Sequence, residues 1–166
     1  MSKTTTWLSC ALLSACFAAP VWAHPDAAHV QAANAWARAS VQGQQATGAF
    51  VQLTAQEPLR LVGVETPAAA AGEIHEMKME GDVMRMRPID GLDLPQGHMV
   101  ELKPGGYHLM FQQLRGPLQD GTEVPVSLVF QDAKGAISRL HLQVPVKRMA
   151  PAAGQAGAAQ PHAHGH

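Results

Sequence analysis

The chain has 166 residues, a formal net charge of −1, nine histidines, eight methionines and only two cysteines, Cys10 and Cys16. Both cysteines lie in an N-terminal stretch that reads as an export leader, so the mature chain carries no thiol. That excludes a disulfide scaffold, cysteine zinc and iron–sulfur sites, a catalytic cysteine and a thiolate-ligated blue-copper centre. The absence of a Lys/Arg run excludes the basic footprint that nucleic-acid binding needs.

In chain order, the leader comes first. Lys3 precedes an apolar run over residues 7–19, and Val21 and Ala23 occupy the small-residue positions of a cleavage site. The expected signal peptide is residues 1–23, with a mature N-terminus at His24. The run is too short for a membrane span, so a periplasmic protein is expected. The alternative takes Leu13-Ser14-Ala15-Cys16 as a lipoprotein box with Cys16 acylated. It fits less well, because the residues after Cys16 continue the apolar run.

Residues 24–148 are expected to form one domain, and from Val30 to Val146 they show short apolar or alternating runs cut by Gly, Pro and Asp, the pattern of an all-β sandwich or barrel. Nine strands are predicted, over residues 30–38, 48–53, 59–65, 72–79, 83–88, 98–102, 106–114, 123–130 and 137–146. A single helical turn is predicted at 68–71. Trp36, Phe50 and Phe130 read as core residues. His98, beside a turn, and His141, opposite the apolar Leu140, Leu142 and Val144, read as exposed and not as ligands. Residues 149–166 contain no large apolar side chain beyond Met149 and form a predicted disordered tail.

Two segments carry chemistry. In residues 74–88, Gly81-Asp82 predicts a two-residue hairpin in which Met79 faces Met84 and Met77 faces Met86. His75 lies diagonal to Met86, giving one His/Met face and one charged face of Glu76, Lys78, Arg85 and Arg87. For a methionine stripe alone, core packing is the ordinary explanation. In residues 106–112, alternation puts Tyr107, Leu109 and Phe111 on a core face and His108, Met110 and Gln112 on the other. An outward His beside an outward Met suits a metal-ligand pair better than packing.

Thioether and imidazole together select an ion. Thioether is soft and uncharged, with little affinity for Mg²⁺ or Ca²⁺, so a mixed Met/His set favours Cu(I). A set without thiolate can also release the ion readily, as transport between partners requires.

The spacing of His75, Met86, His108 and Met110, together with Glu73-Ile74-His75-Glu76-Met77 and Leu102-Lys103-Pro104-Gly105-Gly106-Tyr107-His108-Leu109-Met110, resembles the PCuAC-type periplasmic copper chaperones over roughly residues 32–146. The resemblance implies a cupredoxin-like Greek-key β-sandwich. It implies Cu(I) ligation by His75, Met86, His108 and Met110, with Met77 as an auxiliary contact that the hairpin register also allows. It further implies a role in supplying copper to the CuA centre of cytochrome c oxidase, with a CuA subunit or a Sco-type protein as acceptor.

The tail is a separate signal. Met149 with His162, His164 and His166 resembles the Cu(II)-binding extension of some relatives, and imidazoles on a flexible strand suit that borderline ion. The α-amino group and ring of His24 form a further Cu(II) candidate. The function expected is a monomeric copper carrier and not an enzyme. The competing reading, a periplasmic copper-dependent redox enzyme, requires an open coordination position and a base. Glu76, the nearest carboxylate considered, is assigned to the opposite face.

Overall fold

The computed structural model describes residues 28–150. The expected leader 1–23, Cys16, His24 and the tail histidines His162, His164 and His166 lie outside these residues. The described chain forms ten strands: β1 Val30–Arg38, β2 Ala46–Ala55, β3 Leu59–Glu65, β4 Ala69–Glu80, β5 Val83–Ile89, β6 Leu92–Leu94, β7 Met99–Leu102, β8 His108–Leu114, β9 Glu123–Gln131 and β10 Ile137–Lys147. Among the described residues no helix is long and apolar enough to cross a membrane.

The strands run in the order β5-β4-β8-β2-β1-β10-β9-β3-β6, with β7 also paired to β2. They divide into two groups joined by a short parallel seam between β1 and β10, where Ala37 pairs with Val146 and Arg38 with Lys147. Val51, Leu53, Leu109, Phe111 and Ile74 from one group bury against Leu61, Val126, Leu128, Phe130 and Val144 from the other, so the two groups enclose one core. Period-two alternation leaves the opposite face of β2, β4, β5 and β8 free for other work.

The nine expected strands are all present, those at 30–38 and 59–65 with the expected bounds and the others with shifted ends. The tenth, β6, has three residues between Gly91 and Pro95 and is too short for an alternation signal. No helical turn forms at 68–71. Residues 67 and 68 make the turn and β4 begins at Ala69, because the chain must cross there from β3 into the other group. Thr66 anchors that crossing by donating its hydroxyl to the Pro125 carbonyl at 2.8 Å. At Gly72, a Cβ would stand 2.2 Å from the Val64 carbonyl oxygen, so only glycine permits the approach of β4 to β3.

A β-bulge in β1 determines what lies behind the candidate site. The register of β1 against β2 shifts between Ala33 and Trp36, and Asn34 sits in the left-handed region at φ 52°. Its amide donates to Gln52 Oε1 at 2.7 Å. Before the bulge the even residues Val30 and Ala32 meet the core; after it the odd residues Ala35, Ala37 and Ala39 do. Trp36 is thereby turned away from the main core and onto Phe50, with ring centroids 4.5 Å apart. Phe130 is a core residue as expected. Trp36 and Phe50 are buried but belong to the opposite face.

Candidate metal centre

β4 and β5 form the predicted hairpin in the predicted register: Met79 pairs with Met84 and Met77 with Met86. Gly81 at φ 62° is the first central residue of the turn, the position a type II′ hairpin reserves for glycine. β4 also pairs with β8, where His75 is directly opposite His108 and Glu73 opposite Met110. Gly48 of β2 faces Met110 from the other side. The result is a continuous face that carries Phe50, His108 and His75 in one row, with thioethers on either side.

The two histidines are buried, His75 at 5% and His108 at 6% exposure, and their ring centroids are 5.6 Å apart. The expectation that His108 and Met110 point away from the core holds for the direction of β8. Full exposure does not follow, because Phe50 and Met86 cover the His108 ring and Met110 is only half-exposed. Tyr107 does not join the core face with Leu109 and Phe111. It precedes the strand, in the turn at residues 104–107, where alternation does not apply, and is 38% exposed.

Each ring has one nitrogen tied to an acceptor two residues earlier. His108 Nδ1 donates to the Gly106 carbonyl at 3.1 Å. In the neutral ring Nε2 is then bare, and it lies 3.1 Å from the Met86 sulfur. Burial pushes the His108 pKa down; the bond to Gly106 opposes this and the neighbouring His75 ring adds to it. His75 Nε2 donates to the Glu73 carboxylate at 2.6 Å, and the Gln112 amide donates to the same oxygen at 3.4 Å. The bond to His75 holds Glu73 below the usual carboxylate range, against the opposing effect of desolvation. His75 Nδ1 is buried with no hydrogen-bond partner. A bare, buried ring nitrogen on each histidine is the state in which imidazole donates to a metal.

A cleft of about 320 Å³ opens here, lined by Phe50, Met77, Met86, His108 and Met110 among others. Met77, Met86, His108 and Met110 are therefore brought together, and His75 lies immediately behind, ring to ring with His108. Met149, at the far end of β10, is exposed and stands apart from this group. Among the described residues no three His, Cys, Asp or Glu gather as a metal group. The cleft wall itself supplies one imidazole, His108, and three thioethers, Met77, Met86 and Met110. His98 and His141 lie elsewhere, bonded to the Gln96 carbonyl and the Ser127 hydroxyl. Glu76 is on the opposite face, paired with Arg87.

Glu73 is the residue that sequence reasoning passed over. Its position two residues before His75 on a strand places it on the same face, and that spacing was a usable signal.

Comparison with known proteins places this fold. The copper-bound PCuAC domain from PmoF2 superposes with a TM-score of 0.59 at 20% identity, covering 73% of this chain and 94% of that one. The apo PCuAC domain from PmoF1 gives 0.59 at 18% identity, covering 74% and 96%. The solution structure of apo-DR1885 from Deinococcus radiodurans gives 0.50 at 24% identity, covering 90% and 97%. The fold is the cupredoxin-like all-β fold of these domains. By sequence, the chain is 32% identical over 119 residues to the "Putative lipoprotein Lxx21020" of Leifsonia xyli subsp. xyli, covering 71% of this chain and 69% of that protein. The family model described as "Putative lipoprotein LpqE-like" matches residues 30–159, and the chain belongs to the LpqE-like family.

Proposed function

We propose that the chain is an exported carrier of Cu(I), held by His75, Met86, His108 and Met110 with Met77 as an auxiliary contact, and passed to a copper-acceptor protein. The observation that carries this reading is the meeting of two bare donors, His108 Nε2 and Met86 Sδ, at 3.1 Å on the wall of an open cleft. Two lone pairs facing each other repel unless an electrophile lies between them. A set rich in neutral thioether suits soft Cu(I), and its exposure on one side suits exchange with a partner. Two of the structural neighbours named above are PCuAC domains, one of them copper-bound, and this supports the reading.

A redox enzyme is the alternative. It needs a free base beside the metal, and Glu76 faces away while Glu73 is engaged with His75. Delivery to the CuA centre of cytochrome c oxidase, directly or with a Sco-type protein, is the recipient we favour on the motif resemblance. The periplasm is the proposed compartment. We further propose that the tail, through Met149, His162, His164 and His166, gathers Cu(II), with His24 as a weaker candidate. The lipoprotein names of the sequence relatives lend weight to Cys16 as an acylated anchor. Mass spectrometry of the mature chain separates a start at His24 from a lipidated Cys16.

The test of the central reading is a Cu(I) titration under reducing conditions against a chromophoric chelator. One tight equivalent is expected, weakened by more than about tenfold in His108→Ala and in Met86→Ile, at least the effect of losing an outer-shell partner. Unchanged affinity in both variants would refute the assigned ligands.

A further inference from the structure

The hairpin extends past the region where the sheet supports it. Pairing of β4 with β8 ends at His75 and His108, followed only by a bond from the Met77 amide to the Gly106 carbonyl. Residues 78–85 project as a two-stranded arm at the sheet edge. Such an arm has no core to fill, yet Met79 is 59% exposed and Met84 44%. Core packing, the ordinary explanation for methionine, does not account for either. The arm's other face carries Lys78 and an Arg85–Glu80 ion pair, as a solvated surface should.

Register makes this exposure directional. Met79 and Met84 are directly opposed, on the same side of the hairpin as Met77 and Met86, which are opposed in turn. Successive same-face pairs along a strand are about 7 Å apart. The thioethers thus form two rungs leading from the tip to the cleft, the inner rung being the one that reaches His108. Two uncharged sulfurs on an exposed rung bind Cu(I) weakly and leave coordination positions for a third donor. Those are the properties of a transfer station and not of a storage site.

We propose that Met79 and Met84 form an outer Cu(I) station through which the ion enters and leaves the inner site. The inference rests on the carrier reading above and extends it to the route of transfer. A purely apolar docking patch for the recipient is the competing role, and replacing Met by Leu separates the two, since leucine keeps the volume and apolarity but removes the sulfur.

The experiment uses the full mature chain labelled at the methionine methyl groups and titrated with Cu(I) under reducing conditions. The first equivalent is expected to move the Met86 and Met110 methyl signals, and further Cu(I) those of Met79 and Met84 in fast exchange. In Met79→Leu/Met84→Leu the first-equivalent affinity is unchanged, while release of Cu(I) to a chelator slows severalfold. Static Met79 and Met84 signals, or an unchanged release rate in the leucine pair, overturn the outer station and leave the inner site standing. A first equivalent that leaves Met86 and Met110 unmoved overturns both.

Discussion

The Glu73 carboxylate lies 2.6 Å from Nε2 of His75, two residues further along the same strand, and so decides which nitrogen of that ring is bare. A carboxylate only accepts, so Nε2 carries the hydrogen, and in the neutral ring Nδ1 is left with the lone pair. Glu73→Ala should release the ring into a mixture of tautomers, visible in the imidazole ¹⁵N shifts of the apo protein. It should also weaken Cu(I) binding by about 10–100-fold, the usual effect of losing such a partner. Glu73→Gln, whose amide oxygen still accepts, should retain more of both. A His75 tautomer unaffected by Glu73→Ala would remove this role.

His108 makes stability depend on pH. Its pKa is lowered in the folded protein, chiefly by burial, so as pH falls through the ordinary histidine value of about 6.5 the unfolded chain takes up a proton before the folded one does. The stabilisation from a neutral, buried His108 is thus present above about pH 6.5 and is lost as pH falls toward its folded pKa. Urea midpoints of the apo protein should fall between about pH 7 and pH 5, and more steeply than those of His108→Gln. Parallel slopes would assign the dependence to other groups.

Phe50 and Phe130 offer a matched comparison, since both are buried but only Phe50 adjoins His108, at 6.4 Å between ring centroids. Phe50→Leu and Phe130→Leu should each cost on the order of 1 kcal/mol in a denaturant melt. Only Phe50→Leu should also weaken Cu(I) binding, because it loosens the wall that holds the ring. Equal effects of the two on affinity would show that the wall has no part in binding.

The bulge in β1 can be tested at its pivot. Asn34 occupies the left-handed region that asparagine and glycine tolerate and β-branched residues do not. Asn34→Val should destabilise by about 1–2 kcal/mol, and Asn34→Gly by less, as read from urea midpoints. Trp36 fluorescence should report the disturbance, because the bulge sets the side to which that ring turns.

The hairpin register was legible in the sequence because Gly81-Asp82 fixes both the turn and, through it, every pair down to Met77 and Met86. The division of β8 into Leu109 and Phe111 against His108 and Met110 was legible for the same periodic reason. Alternation fails where the chain breaks step. Tyr107 stands outside the strand, and Trp36 follows an inserted residue that reverses its side. Burial of the two histidines was not legible either. It arises from Phe50 and Met86 closing over His108, contacts between segments far apart in the chain.

The solvent-facing methionines of the hairpin expose the molecule to oxidants as well as to metal. Conversion of a thioether to its sulfoxide makes the side chain polar and leaves its sulfur a poorer donor to a soft ion. Met79, Met84 and Met86, about half-exposed, are open to that reaction, whereas the histidines behind them are buried. Residues 28–150 contain no cysteine and so form no disulfide, yet their thioethers give them a redox vulnerability of their own. Under oxidative stress the exposed thioethers of the hairpin would be converted first, while the imidazoles and the β-sandwich beneath them stayed intact.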